Sequence, residues 1–307
     1  MCQRVGEPMK VGSFWGIVFK VNPFFLMLLV PAAISGQLLP ALTLFMIVLF
    51  HELAHTAAAA ACGLRVVEVE LLPFGGVARM DNLLEFNPRV ELLVALAGPA
   101  SNLLLLAALW IGRAHSLLDP DWFLFLARAN VLMAAFNLLP GLPLDGGRVL
   151  RSRLIYCCGL QEATVKSARM GQFLGIGLVV LGLAGGLASR NAGGVFPAAV
   201  GVFLYFEARR EAAQAKFVFL RFLTQKQLQL KLRKVIPAKG LVATGETTLG
   251  EVLRHITPAY CHMVWVVDSQ GRPVGVLSEL ELIEGLLEQG IHGKLIKLIK
   301  RRFWPPE

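Results

Sequence analysis

Residues 42–62 read LTLFMIVLFHELAHTAAAAAC. A bilayer core of about 30 Å is crossed by about 20 apolar residues in a helix, and the run from about Ala41 to Cys62 has that length. Inside it sit two imidazoles and a carboxylate, His51, Glu52 and His55. A charged group at that depth costs about 2.5 kcal/mol or more, so these side chains need partners or a metal. On a helix, His51 and His55 share one face at the spacing two imidazoles need to hold one zinc. Glu52 lies beside them, where it can take a proton from an attacking water and pass it to a leaving amine. Chance alone produces an HExxH match in about one chain of this length in a hundred. The membrane setting lowers that further.

A hydrolytic zinc takes a third protein ligand and keeps one position open. The candidate is Asp145, in the segment NLLPGLPLDGGR at 137–148. Pro140 and Pro143 should break a helix there, and irregular backbone at membrane depth persists only where protein or a water-filled cavity covers it. A carboxylate on such a break can face a metal held by the preceding HELAH span. The alternative is an interfacial Asp145 paired with Arg148. Asn137 has two readings: its amide bonds the freed backbone of the break, or it holds an extended substrate near the metal.

Composition agrees with a membrane setting. Of 307 residues, 55% are hydrophobic and 17% charged, with a mean hydropathy of +0.61, against about 25% charged in soluble domains. Six spans are expected, at about Pro23–Leu39, Ala41–Cys62, Leu92–Ile111, Trp122–Leu139, Gly171–Ala188 and Gly194–Phe206. The first resembles a signal peptide, with Lys10 and Lys20 ahead of it, but it lies late in the chain and leads into a second apolar run. Cations gather on one side: Arg4, Lys10 and Lys20 before the first span, Arg65, Arg79 and Arg89 after the second, Arg148 to Arg169 after the fourth, Arg209, Arg210 and Lys216 after the sixth. The opposite loops hold Arg113 and Arg190. The positive-inside rule then puts both termini in the cytoplasm, as an even span number requires. The same rule accounts for the net charge of +9 without nucleic acid. The cysteines, Cys2, Cys62, Cys157, Cys158 and Cys261, form no C-x-x-C pair and read as apolar residues or free thiols.

Two segments between spans carry weaker signals. Val66–Arg79 alternates as a strand does and contains Gly75 and Gly76; an open strand edge there could receive a substrate as an added strand, or the segment is a structural hairpin. Gly98-Pro99-Ala100-Ser101-Asn102 puts small residues where helices approach, with Asn102 as a potential donor to the ligands. After about Phe217 the composition turns polar. Leu249, Val252, Leu253 and Ile256 describe an amphipathic helix, followed by a strand at 263–267, a turn at Asp268–Gly271, a strand at 273–277 and a helix through Leu286. Residues 1–215 are thus expected to form a six-span membrane domain, and 216–307 a linker plus a small cytoplasmic α/β domain.

HELAH at 51–55, LLPFGGVARM at 71–80, AGPASN at 97–102 and NLLPGLPLDGGR at 137–148 together resemble the site-2 protease family of intramembrane zinc metalloproteases. The resemblance implies a zinc endopeptidase of a bacterial cell membrane, with His51, His55 and Asp145 as zinc ligands and Glu52 as catalytic acid/base. It further implies substrate positioning by Asn137, and by Gly75 and Gly76. Within the family the chain looks most like the stage IV sporulation protein FB subgroup, with six spans and no PDZ domain between the second and third. The tail resembles one cystathionine-β-synthase (CBS) repeat. By that resemblance the substrate is a pro-sigma factor, inhibitory membrane proteins are expected partners, and the CBS-like domain would sense adenine nucleotides. A single repeat, where pairs are usual, points to pairing between two chains. Rival readings are a protease acting on anti-sigma factors, a CBS-gated ion or metal transporter, and a receptor on an inactive protease scaffold. The concentration of polar groups at one depth, together with intact HELAH and Asp145, favours the protease.

Overall fold

A computed structural model of the chain describes residues 9–14, 17–21, 30–64, 66–72, 75–80, 87–189, 194–232, 238–253, 255–256, 260–290 and 292–299. In order the elements are β1 (Met9–Phe14), β2 (Ile17–Val21), α1 (Leu38–Ala61), β3 (Val66–Leu72), β4 (Gly75–Met80), α2 (Pro88–Ala114), α3 (Pro120–Asn137), α4 (Asp145–Ser189) and α5 (Val195–Leu232). They continue with β5 (Ala238–Thr244), α6 (Leu249–Leu253), β6 (Cys261–Val267), β7 (Pro273–Ser278) and α7 (Glu279–Gln289). The chain divides into two compact units, Met1–Glu85 with Arg89–Val149 and Phe86–Pro88 with Leu150–Glu307.

Among the described residues, three helices are long and apolar enough to cross a bilayer: Leu38–Ala61, Pro88–Ala114 and Asp145–Ala188. Their outer faces are leucine-rich and open, as at Leu39, Phe50, Leu104, Ile111, Phe173 and Leu181, whereas His51, His55, Asn102, Asn130 and Asp145 are buried. Apolar outside and polar inside is the distribution a hydrocarbon solvent selects. The protein is an integral membrane protein. The expected fourth span coincides with α3, the fifth lies within α4 and the sixth within α5. Of the expected first span, 23–29 fall outside the described residues and 30–34 are helical.

In the first unit, β1 to β4 form one sheet in the order β1-β2-β3-β4. The expected β-type segment is a hairpin, with Leu72 opposite Gly75 and Glu70 opposite Val77. β3 also pairs in parallel with β2, and β2 antiparallel with β1, strands that the sequence reading did not anticipate. Among the described residues β4 is therefore an edge strand, and it packs with β3 along α1. α3 starts sharply, because the Asp119 side chain accepts from the backbone N–H groups of Asp121 and Trp122 at 2.9 and 3.4 Å, with Pro120 at the first helical position. It stops at Asn137, ahead of Pro140 and Pro143 as expected. The intervening backbone closes on itself, Gly141 N–H donating to Leu139 O at 2.8 Å and Leu144 N–H to Gly141 O at 3.0 Å. Gly146 and Gly147 then lie against the backbone of Leu138–Leu139 and Gly141–Leu142, where a Cβ would collide with main chain. That close approach sets Asp145 at the first turn of α4, where a helix N-terminus favours a carboxylate.

In the second unit α4 and α5 pack through glycines: a Cβ on Gly175 would lie 2.7 Å from Gly201 O, and one on Gly182 2.7 Å from Gly194 O. Gly159, with φ of 75°, bends α4. α5 continues to Leu232, past Phe217, where the composition turns polar, into the segment expected as a linker. The change in composition marks where the helix turns polar, and the helix itself runs on. The tail follows the expected pattern, with an added first strand: β5 pairs in parallel with β6, and β6 antiparallel with β7. Asp268 accepts from the N–H groups of Gln270 and Arg272 at 2.8 and 2.9 Å, and Gly271 takes φ of 78°, which is the Asp-x-x-Gly turn. Leu249, Val252, Leu253, Ile256, Val264, Val266, Leu277 and Leu282 close a core that includes Ile155 and Leu160 of α4.

Candidate metal centre

The i, i+4 spacing on α1 brings the rings of His51 and His55 edge to face, with centroids 4.7 Å apart. Asp145, from the start of α4, completes a triangle. His51 Nε2 and His55 Nε2 each lie 3.1 Å from Asp145 Oδ2 and 3.1 Å from one another. All three residues are buried. The carboxylate thus faces the histidines, as the reading of the helix break required.

The back of each ring is held. His55 Nδ1 donates to the backbone carbonyl of Val94 at 2.7 Å. A carbonyl only accepts, so the proton resides on Nδ1 and Nε2 presents a lone pair. His51 Nδ1 lies 2.6 Å from Asn102 Oδ1. Asn102, expected as a donor, is an acceptor toward the ring, and its own Nδ2 donates to Asn130 Oδ1 at 3.1 Å. Gly98 closes the centre from α2: a Cβ there would lie 2.5 Å from His55 Cε1, 2.6 Å from His51 Nε2, and against His55 Nε2. The small residue read as helix packing makes room for the two histidines.

These residues fit a zinc ion. A tetrahedral zinc with donors at about 2.0–2.1 Å spaces them about 3.3 Å apart, and the 3.1 Å triangle matches. Two nitrogens and one oxygen suit that metal, and the cradle at Gly98 is one that a Cβ would fill. His51, His55 and Asp145 are the group of metal-binding type found among the described residues.

Glu52 is half-buried on α1 beside His51. Asn137, the last residue of α3, turns its amide back, Nδ2 donating to Met133 O at 3.1 Å. Gly75 and Gly76 open the edge strand β4. Asn130 was missed by the sequence reading, though the rule that picked out His51, a polar group inside an apolar span, applies to it equally.

The family model for peptidase family M50 matches residues 40–118. Over 237 residues the chain is 35% identical to the candidate zinc metalloprotease sll0528 of Synechocystis sp., covering 70% of this chain and 62% of that protein. It is 34% identical over 130 residues to stage IV sporulation protein FB of Bacillus subtilis, covering 42% of this chain and 45% of that one. The chain thus spans less than two thirds of these curated relatives. Among solved structures, the site-2 protease from Methanocaldococcus jannaschii matches with a TM-score of 0.52 and 28% identity, over 67% of this chain and 95% of that one. With HELAH inside the matched segment and a metal-ready triangle that includes both of its histidines, the chain is similar in sequence and fold to members of peptidase family M50, the site-2 protease family.

Proposed function

We propose that this chain is an intramembrane zinc metalloendopeptidase that cuts a membrane-associated protein. The observation that carries the reading is the triangle of His51 Nε2, His55 Nε2 and Asp145 Oδ2, each 3.1 Å from the other two, buried in a membrane protein. In this proposal those three residues hold the zinc. When bound, zinc supplies a Lewis acid that polarises the scissile carbonyl and makes water a nucleophile at neutral pH. Glu52, next to His51 on the same helix, takes the proton from the attacking water and delivers it to the leaving amine. The low-dielectric surroundings strengthen both effects. Water reaches the centre from the cytoplasmic side along the broken segment 140–145, where the backbone leaves the helix.

The substrate strand adds to β4, whose position at the sheet edge suits β-augmentation, with Gly75 and Gly76 allowing close approach. Asn137, at the end of α3, positions the same strand. Six spans with both termini in the cytoplasm follow from the cation distribution. The tail is proposed as a single CBS-like regulatory domain that pairs with a second copy and binds an adenine nucleotide. For the substrate we take a pro-sigma factor, as the likeness to the sporulation protein FB subgroup implies, held inactive until inhibitory membrane partners release the protease. Co-expression with a panel of pro-sigma and anti-sigma factors, wild type against Glu52→Gln, tests the reading. The expected result is cleavage by wild type and a loss of at least about 100-fold in Glu52→Gln, with insertion unchanged. Full activity in Glu52→Gln would overturn the mechanism.

A further inference from the structure

Asn102 alone cannot decide how His51 is protonated. A side-chain amide can present either Oδ1 or Nδ2 to the ring. With Oδ1 toward it, His51 carries its proton on Nδ1 and offers a lone pair at Nε2. With Nδ2 toward it, Nδ1 must accept, and the proton moves to Nε2, onto the atom that faces His55 and Asp145. Only the first tautomer can bind a metal there.

The choice is made two residues away. Asn130 Nδ2 donates to the carbonyl of Leu126 in its own helix, at 2.9 Å. That carbonyl can only accept, so the Asn130 amide has one orientation and Oδ1 faces Asn102. Asn102 must then offer Nδ2, at 3.1 Å, which turns its Oδ1 to His51 Nδ1 at 2.6 Å. Asn102 is fully buried and Asn130 is 2% exposed. Asn130 also borders a crevice of about 310 Å³ whose walls are mostly apolar, Ile47, Phe50, Leu105 and Leu126 among them, and the hydroxyl of Thr43, which also lines it, donates to Leu39 O at 2.8 Å.

We infer that Asn130 is a positioning residue: through Asn102 it fixes His51 in the Nδ1–H tautomer, transmitting the polarity of the Leu126 carbonyl across three helices to the metal-facing nitrogen. This rests on the proposed role of His51 as a ligand. It assigns a function to a residue outside the motifs that resemble the family.

Two measurements on the full-length protein in lipid or detergent test it. The first compares zinc affinity, by chelator competition, and the d–d absorption of the cobalt-substituted protein in wild type, His51→Ala, Asn130→Leu and Asn130→Asp. Asn130→Leu should weaken zinc by about 10- to 100-fold and alter the cobalt spectrum. Asn130→Asp, which retains an oxygen for Asn102, should recover most of the affinity. The second reads the imidazole nitrogen shifts of metal-free, histidine-labelled wild type by solid-state NMR, with His51 assigned by its loss in His51→Ala. It needs no Asn130 variant to fold. The expected state is Nδ1–H. An Nε2–H tautomer there, or wild-type zinc affinity and cobalt spectrum in Asn130→Leu, would overturn the inference. Failure of wild type to bind zinc, or unchanged binding in His51→Ala, would instead overturn the metal reading on which it stands.

Discussion

At Gly98 one methyl group decides whether two rings and a metal can share the same space. A Cβ at this position would lie 2.6 Å from His51 Nε2 and 2.5 Å from His55 Cε1, inside any real carbon–nitrogen contact. The histidines cannot both yield, since His55 is tied to Val94 O and His51 to Asn102. Gly98→Ala should therefore cost zinc affinity on the order of 100-fold, through displaced ligands, while α2 itself tolerates alanine well. Chelator competition and metal content of the purified variant check this, and a variant that holds zinc as tightly as wild type contradicts it. The candidate ligands are readable because their grammar is local: four residues on a helix, and prolines and glycines around Asp145. Gly98 and Asn130 escaped because their partners lie on other helices, and nothing in the local pattern says which face of α2 or α3 meets α1.

Elements with their own punctuation were also readable. α7 is held by Ser278 and Glu281: the Ser278 side chain accepts from Glu281 N–H at 3.3 Å, and Glu281 Oε2 accepts from Ser278 N–H at 2.7 Å. The turn at Asp268–Gly271 is likewise spelled out in sequence. β1 and β2 were not, because parallel pairing of β2 with β3 links segments far apart in the chain. Just inside α7, Glu279 reaches back under β6, Oε1 accepting from His262 N–H at 2.8 Å and from its Nδ1 at 2.7 Å. Both residues are buried, His262 completely. His262 is thus a structural residue of the tail domain. Truncating Glu279 to alanine removes the acceptor that both His262 donors share, a loss of about 2–5 kcal/mol to the tail domain. Glu279→Gln, which retains an acceptor, should lose much less. Limited proteolysis of the full chain measures this: the tail should be cut faster in Glu279→Ala at a temperature where wild type and Glu279→Gln resist. Equal resistance in all three would show that the pair contributes nothing.

For the whole molecule, the inverted distribution of polarity makes orientation a physical question as well as a topological one. Among the described residues, three helices qualify as spans on length and apolarity. α3, at 18 residues with Arg128 and Asn130 within it, and α5, which runs polar after its first turns, do not announce themselves in the same way. The six-span proposal therefore rests on charge: a cation costs more to translocate than to leave behind, so loops rich in Lys and Arg stay in the cytoplasm. The turn between α2 and α3, around Leu117 and Asp119, is then outside. The start of the tail sheet, near Ala238, is inside. Leu117 is 77% exposed and Ala238 is also exposed, so a cysteine at either site should react readily. In a chain with Cys2, Cys62, Cys157, Cys158 and Cys261 replaced, a membrane-impermeant maleimide should label Leu117→Cys in intact cells and Ala238→Cys only after permeabilisation. Labelling of Ala238→Cys from outside would reverse the orientation and put the mouth of the broken segment at 140–145 on the wrong side for a cytoplasmic substrate. Protection of Leu117→Cys in intact cells, despite labelling once permeabilised, would mean that α2 and α3 do not both cross and that the polar centre is reached by a shallower, re-entrant route.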